Sequence, residues 1–347
     1  MRPGPGGSLG VSGMPLQTRA RSIGRTALER SSVRGAMGIV HSIFPSAVNI
    51  LTRDNHLISV VSSRVGRGPI NLVADLPDRA PMSSMGLEEG DDVWSEGAAL
   101  VVPDRVVIST EGASVYQPER SFGHALLPAS GIENNLIAML RYARVRGRSA
   151  VAEYVMRRLP DTPPGRPEQS GRPAPSSFGG GLSTEMQVDS FAGAALPRVS
   201  DFLLAVQERS YPRIRMSASN LIGLGPGLTP SCDDILAGFM ASLRFAEENR
   251  IIAGDHITRV IEEIASCVPN RTTILSEEYL MHAAVGEANE PVVSLLQRIL
   301  TAGPGEVRSA TRRLLSVGAS SGTEIALGIL LGLRIALGRR IALGVAA

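Results

Sequence analysis

Two short stretches carry side chains whose types and spacing suit anion binding and acid–base chemistry. The first, Leu221 to Phe245, reads LIGLGPGLTPSCDDILAGFMASLRF and passes from a glycine loop through hydroxyls and carboxylates into an apolar helix. Gly223, Gly225 and Gly227 can take positive φ or let a ligand lie against the backbone, and Pro226 stiffens the turn. Thr229 and Ser231 follow, and then the adjacent carboxylates Asp233 and Asp234. With Ser231 as N-cap, Asp234 falls at the third helical position, as in a capping box. A capped helix accounts for Ser231 and Asp234, but it leaves the glycines, the second carboxylate and the extra hydroxyl unexplained.

The second stretch, Gly318, Ala319, Ser320, Ser321, Gly322, Thr323 and Glu324, leads into an apolar helix from Ile325 to Leu337. Both stretches follow S-x-x-(D/E)-I-x-x-G, as Ser231, Asp234, Ile235, Gly238 and as Ser321, Glu324, Ile325, Gly328. Two similar loop-to-helix corners are expected, with Gly238, Gly328 and Gly332 small enough to let the helices approach and bring both N-termini to one pocket. A third group, Asn270 to Ser276, offers Arg271 among Thr272, Thr273 and Ser276. Arg271 can clamp a carboxylate or phosphate bidentately, or Thr273 or Ser276 caps the helix through Tyr279 to Val285. Both readings stay open, and His282 on that helix reads as structural.

Composition removes several classes of function. All 35 basic residues are arginine, which excludes a phosphate-loop lysine, a Schiff base or a lysine nucleophile. Any anion must therefore be held by arginine, backbone N–H groups or a metal. Aromatic content of 4% gives no stacking platform for nucleic acid. The net charge of +2 conceals a basic N-terminal stretch, so the rest of the chain is not a basic nucleic-acid surface. Cys232 and Cys267 are far apart and lack metal-ligand spacing, which suits a reducing cytoplasm. Cys232 opens the central helix and reads as a small residue tolerated at a helix start; a thiol pKa lowered by the helix dipole is the alternative.

The expected architecture is α+β. Residues 1–36, rich in Arg, Gly, Ser and Pro, read as a disordered basic arm, with Met14 and Met37 both possible starts. Residues 37–130 read as a small antiparallel β barrel or sandwich, because short β-branched runs alternate with turn signals such as Asp54-Asn55 and Gly66-Arg67-Gly68. Residues 131–347 read as a mainly helical domain, starting with one helical stretch over 131–159. A flexible Pro/Gly-rich insertion interrupts it at about 160–183. The terminal apolar run is too short to cross a membrane, and the repeated RIALG after it reads as a frayed extension of its helix.

The motifs GIVHSIFPSAVNIL at Gly38 to Leu51, GRGPINLV at Gly66 to Val73, the central loop, RTTILS at Arg271 to Ser276 and VGASSGTEIALGILLGL at Val317 to Leu333 together span residues 37–337. On these the chain resembles the bacterial family of the AllH-type subunit of oxamate carbamoyltransferase. Cys232 stands where that family usually has glycine, and Glu324 where it usually has aspartate. The resemblance implies carbamoyl transfer between oxalurate or oxamate and phosphate or carbamoyl phosphate in purine (allantoin) breakdown, by an enzyme with other protein subunits. In that setting Arg271 and the N–H groups at Gly225, Gly227 and Ser321, with Ser320 and Gly322 beside them, would hold carboxylate or phosphate at helix N-termini. Asp233, Asp234 and Glu324 are the catalytic candidates, accepting from amide N–H groups of a small anionic substrate. Asp233 and Asp234 could instead hold a Mg²⁺ that bridges to phosphate. A non-catalytic ligand-binding or structural partner subunit is the alternative, and a small-molecule phosphotransferase is a further one.

Overall fold

In the computed structural model, residues 14–77, 80–161, 182–252 and 254–343 are described. The chain divides into two compact units between Gln117 and Pro118, ahead of the boundary expected at 130.

The first unit is a β barrel. Its strands are β1 (Leu16–Gly24), β2 (Gly35–Phe44), β3 (Ala47–Thr52), β4 (Leu57–Val61), β5 (Asn71–Ala74), β6 (Asp92–Ser95), β7 (Ala99–Val102), β8 (Val106–Ser109) and β9 (Ser114–Tyr116), with α1 (Arg25–Ser31) after β1. The order β5-β4-β3-β2-β6-β7-β8-β1 closes on itself where Ala20, Ser22 and Ile23 of β1 face Ala74, Val73 and Leu72 of β5. Eight strands thus complete the ring and leave no open edge. β9 continues the line of β8 along the second half of β1. Val40, Ile58, Leu72, Val93 and Ile108 are among the side chains filling the interior.

Two expectations are corrected here. Residues 16–31 are not part of a disordered arm, because β1 and α1 lie there and β1 supplies the closure; residues 1–13 fall outside the described part. Arginines 19 and 21, which made the stretch look like a solvated tail, pair with Asp75. The barrel is also not wholly antiparallel, since β1–β8, β1–β9 and β4–β5 run parallel.

The second unit contains, among the described residues, α2 (Ala129–Arg146), α3 (Ala150–Met156), α4 (Leu182–Gln207), α5 (Tyr211–Ser219), α6 (Ser231–Glu248), α7 (Asp255–Ala265), α8 (Ile274–Ala284), α9 (Glu290–Thr301), α10 (Pro304–Leu314) and α11 (Ser321–Ala336). The expected insertion lies outside the described residues over 162–181. α6 and α11 are buried around most of their circumference, as their apolar sequences require of central helices. Their packing is reciprocal. A Cβ on Gly238 would collide with the Ile325 carbonyl, and one on Gly328 with the Ile235 carbonyl. Further along, Gly332 accommodates Ser242 and the Phe239 carbonyl. Contacts advance together along both helices, so α6 and α11 run parallel and start at the same end. One buried ion pair supports this core: Arg334, 3% exposed, lies 3.5 Å from Glu133 on α2 and donates to the Pro160 carbonyl at 2.8 Å.

The stretch with helical periodicity over 131–159 is divided at Gly147–Ser149 into α2 and α3, where Ser149 caps α3 by accepting from Ala152 N–H. The second RIALG is not a helical extension: Gly338 takes φ +69° and ends the turn, and Ile341 exchanges backbone hydrogen bonds with the Gln207 side chain.

Candidate active site

The parallel packing of α6 and α11 brings the two motif corners together. Thr229, just before α6, and Ser321, the first residue of α11, share a hydrogen bond between hydroxyls at 3.0 Å. Two helix N-termini therefore meet, and each brings the positive end of its dipole; most of their first N–H groups are bonded within the corners, Cys232 to the Leu224 carbonyl and Gly322 to the Val317 carbonyl.

The loop before α6 is shaped by backbone demands. Gly223, Gly225 and Gly227 all have positive φ, at +77°, +138° and +96°. At Gly225 a side chain is excluded twice over, because its Cβ would also overlap Ser231 N. Pro230, not Ser231, is the N-cap. Its extended backbone lets its carbonyl accept from Asp233 N–H at 2.9 Å and Asp234 N–H at 3.2 Å. The helix thus begins one residue earlier than the capping-box expectation, Asp234 sits at the fourth position, and no capping box forms. The α11 corner is built alike, with Ser320 as N-cap and Glu324 at the fourth position.

The three carboxylates differ in what they touch. Asp233 accepts from Gly223 N–H at 2.8 Å on one oxygen and from the Thr272 hydroxyl on the other, so it ties the glycine loop to the 270–273 turn. Glu324 accepts from Ser149 at 2.8 Å on one oxygen and from Ser320 at 3.2 Å on the other. Asp234 is 4% exposed, and its Oδ2 has no hydrogen-bond partner among the described residues. Burial raises its pKa well above the usual carboxylate range; the charges of Glu324 and Asp233 add to this, and the hydroxyls of Ser321 and Thr229 oppose it. Burial also raises Asp233, against the donors Thr272, Gly223 and Ser276.

The turn at 270–273 does two jobs. Thr273 caps α8 by accepting from Ser276 N–H at 3.2 Å, and its hydroxyl donates to the Leu228 carbonyl at 2.5 Å. The Arg271 carbonyl packs so closely on Gly223 that a Cβ there would lie 2.5 Å from it. The Arg271 side chain is exposed, and no side-chain hydrogen bond or ion pair joins it to the described residues. Ser276 is buried beneath the turn. Gly322 contributes by closeness, since its Cα abuts the Leu314 carbonyl.

Cys232 is a small buried residue at the helix start, as expected, and the dipole does not lower its pKa. Burial pushes the thiol up to about 12, and the nearby Asp233 and Glu324 charges reinforce the effect, so it is an inert core residue. For the expected Mg²⁺ ligands, no three His, Cys, Asp or Glu converge among the described residues. Both Asp233 oxygens are already engaged, which leaves Asp234 Oδ2 as the open oxygen. A surface groove of about 550 Å³ lies elsewhere, between α9 and α10, and contains none of these residues. Its Arg298 and Arg313 are paired with Glu306 and Glu290.

Ser149 was not foreseen. Its sequence signal is Gly147 and Ser149 punctuating an otherwise helical run.

Fold and site together define an α+β protein of two units, a closed barrel and a helical body with a hydroxyl- and carboxylate-lined site at paired helix N-termini. Residues 221–333 match the family described as oxamate carbamoyltransferase subunit AllH, and residues 19–115 match the AllH family N-terminal domain. The chain belongs to the AllH family, a carbamoyltransferase-associated subunit family. No solved structure matches it. Among the described residues, no helix is long and apolar enough to cross a membrane.

Proposed function

We propose that this chain binds the substrates of a carbamoyl transfer at the paired corners and that Asp234 handles the proton of the departing nitrogen. The observation that carries this reading is the buried Asp234 Oδ2 between two helix N-termini, without a hydrogen-bond partner among the described residues. Leaving such an atom unpaired costs about 1–3 kcal/mol, a cost that a bound ligand can offset.

In the direction that consumes oxalurate, a phosphate oxygen attacks the carbamoyl carbon and forms a C–O bond. The C–N bond then breaks, its electron pair returns to the oxamate nitrogen, and a proton must join it. A neutral Asp234 donates that proton, and in the reverse direction it takes the proton back. The positive ends of the α6 and α11 dipoles favour the developing oxyanion. Asp233 with Thr272, and Glu324 with Ser149, hold the two corners in place. The setting that fits is purine (allantoin) nitrogen breakdown in the cytoplasm, with other subunits completing the enzyme.

The test is oxamate and phosphate binding by the wild-type chain and by Asp234→Asn, together with phosphorolysis of oxalurate by the assembled enzyme. Unchanged affinity and turnover in a folded Asp234→Asn chain would sink the assignment. A second reading, a partner subunit whose loop docks on the protein that does the chemistry, is favoured by Leu228, which is 47% exposed in the loop. Turnover by the isolated chain would reject it.

A further inference from the structure

We propose that Arg148 is a second oxyanion-binding residue, placed opposite Arg271, so that the site takes two oxyanions at once, a carboxylate and a phosphate. This rests on reading the paired corners as the substrate site.

The argument is a correspondence between two connections. Residues 147–149 lie on the first turn of α11: Arg148 N–H donates to the Thr323 hydroxyl at 3.0 Å, Ser149 donates to Glu324, and Gly147 sits against the Thr323 side chain. Residues 271–273 lie on the α6 corner in the same manner, with the Arg271 carbonyl against Gly223 and Thr272 donating to Asp233. In both places an arginine directly precedes the hydroxyl residue that binds its corner's carboxylate. In both places a helix follows, α3 at Ala150 directly after Ser149 and α8 at Ile274 after the capping Thr273.

Both guanidinium groups belong to exposed residues, and neither makes a side-chain hydrogen bond or ion pair with a described residue. Many other arginines of this unit are engaged, including Arg144, Arg213, Arg215, Arg244 and Arg334. A free guanidinium anchored by its own backbone beside a helix N-terminus is a ready partner for an oxyanion. Two anions held close together repel unless each has its own cation, and with no lysine in the chain a second arginine is the group available.

The experiment measures binding of inorganic phosphate and of oxamate, separately and together, to the full chain and to Arg148→Gln and Arg271→Gln. Both variants should melt with the wild type when unliganded, since neither guanidinium has a partner among the described residues. The wild type should bind both anions. Each variant should lose at least about tenfold in affinity for one of them, a different one in each case, and keep the other. If Arg148→Gln binds both anions as the wild type does while Arg271→Gln or Asp234→Asn loses one, the inference falls and the site reading stands. Loss of the same anion, or of both, in the two arginine variants would mean a single subsite and would also overturn it. A wild-type chain that binds neither anion would remove the site reading, and the inference with it.

Discussion

Replacing Asp234 by asparagine should change how stability depends on pH, in a direction that reports where the proton resides. Burial is the main cause that raises the folded-state pKa of Asp234, with the charges of Glu324 and Asp233 adding to it. In the unfolded chain an aspartate titrates near about 3.9. Between that value and the folded one, the native state binds more protons than the unfolded state, so stability falls as pH rises through this window and stays reduced above it. Asparagine has nearly the same shape and does not ionise, so the variant escapes this fall. Relative to wild type it should gain about 1.4 kcal/mol for each unit by which the folded pKa exceeds the unfolded one. Set against that gain is about 1 kcal/mol for altered hydrogen bonding with the neighbouring hydroxyls. Urea unfolding of both proteins from about pH 4 to about pH 8 reads the difference through the midpoints. A slope should persist in the variant, because burial raises Asp233 in the same direction. Parallel curves, or an asparagine variant that loses ground as pH rises, would refute the protonated Asp234.

Three further outcomes follow from the packing. Gly328→Ala forces a methyl into the Ile235 carbonyl and Phe239 N; it should cost about 1–3 kcal/mol in thermal or urea unfolding and weaken ligand binding by parting the helix starts. Thr272→Val removes the donor to Asp233 Oδ2 and should cost about 1–3 kcal/mol, with oxamate affinity, measured by calorimetry, falling as the glycine loop loosens. Arg334→Met leaves Glu133 buried without its nearest cation; a loss of about 3–5 kcal/mol is expected, and a neutral result in urea unfolding would show that Arg339 and solvent compensate.

What could be read in the sequence was local. β-branched runs between turn signals marked the strands of the barrel, and the two S-x-x-(D/E)-I-x-x-G stretches marked helix starts that needed a glycine seven positions on. Neither pattern carries long-range partners. Barrel closure through β1 was missed because an arginine-rich strand resembles a tail until Asp75 is seen to pair with its side chains. The start of α6 was misplaced by one residue because serine is the better N-cap by propensity, whereas the glycine loop delivers Pro230 in extended geometry and its carbonyl does the capping. Ser149 was passed over because its role depends on a helix more than a hundred residues later in the chain.

The likeness of the two corners makes their differences informative. Aspartate and glutamate occupy the same fourth position of parallel helices, yet only one is satisfied. The extra methylene of Glu324 carries its carboxylate to Ser149 at the start of α3, where hydroxyls occupy both oxygens. The shorter Asp234 keeps one oxygen inside the site with no described residue to accept from, and burial, with the charge of Glu324 adding to it, makes its ionised form costly. One corner thus supplies a fixed acceptor whose charge acts on its neighbour, and the other a group that readily holds a proton. Such a division suits a reaction in which one end of the substrate is anchored and the other gains a hydrogen, because environment rather than residue type assigns the two roles. A fully symmetric pair of corners, with both carboxylates capped by hydroxyls or both open, would carry no such division.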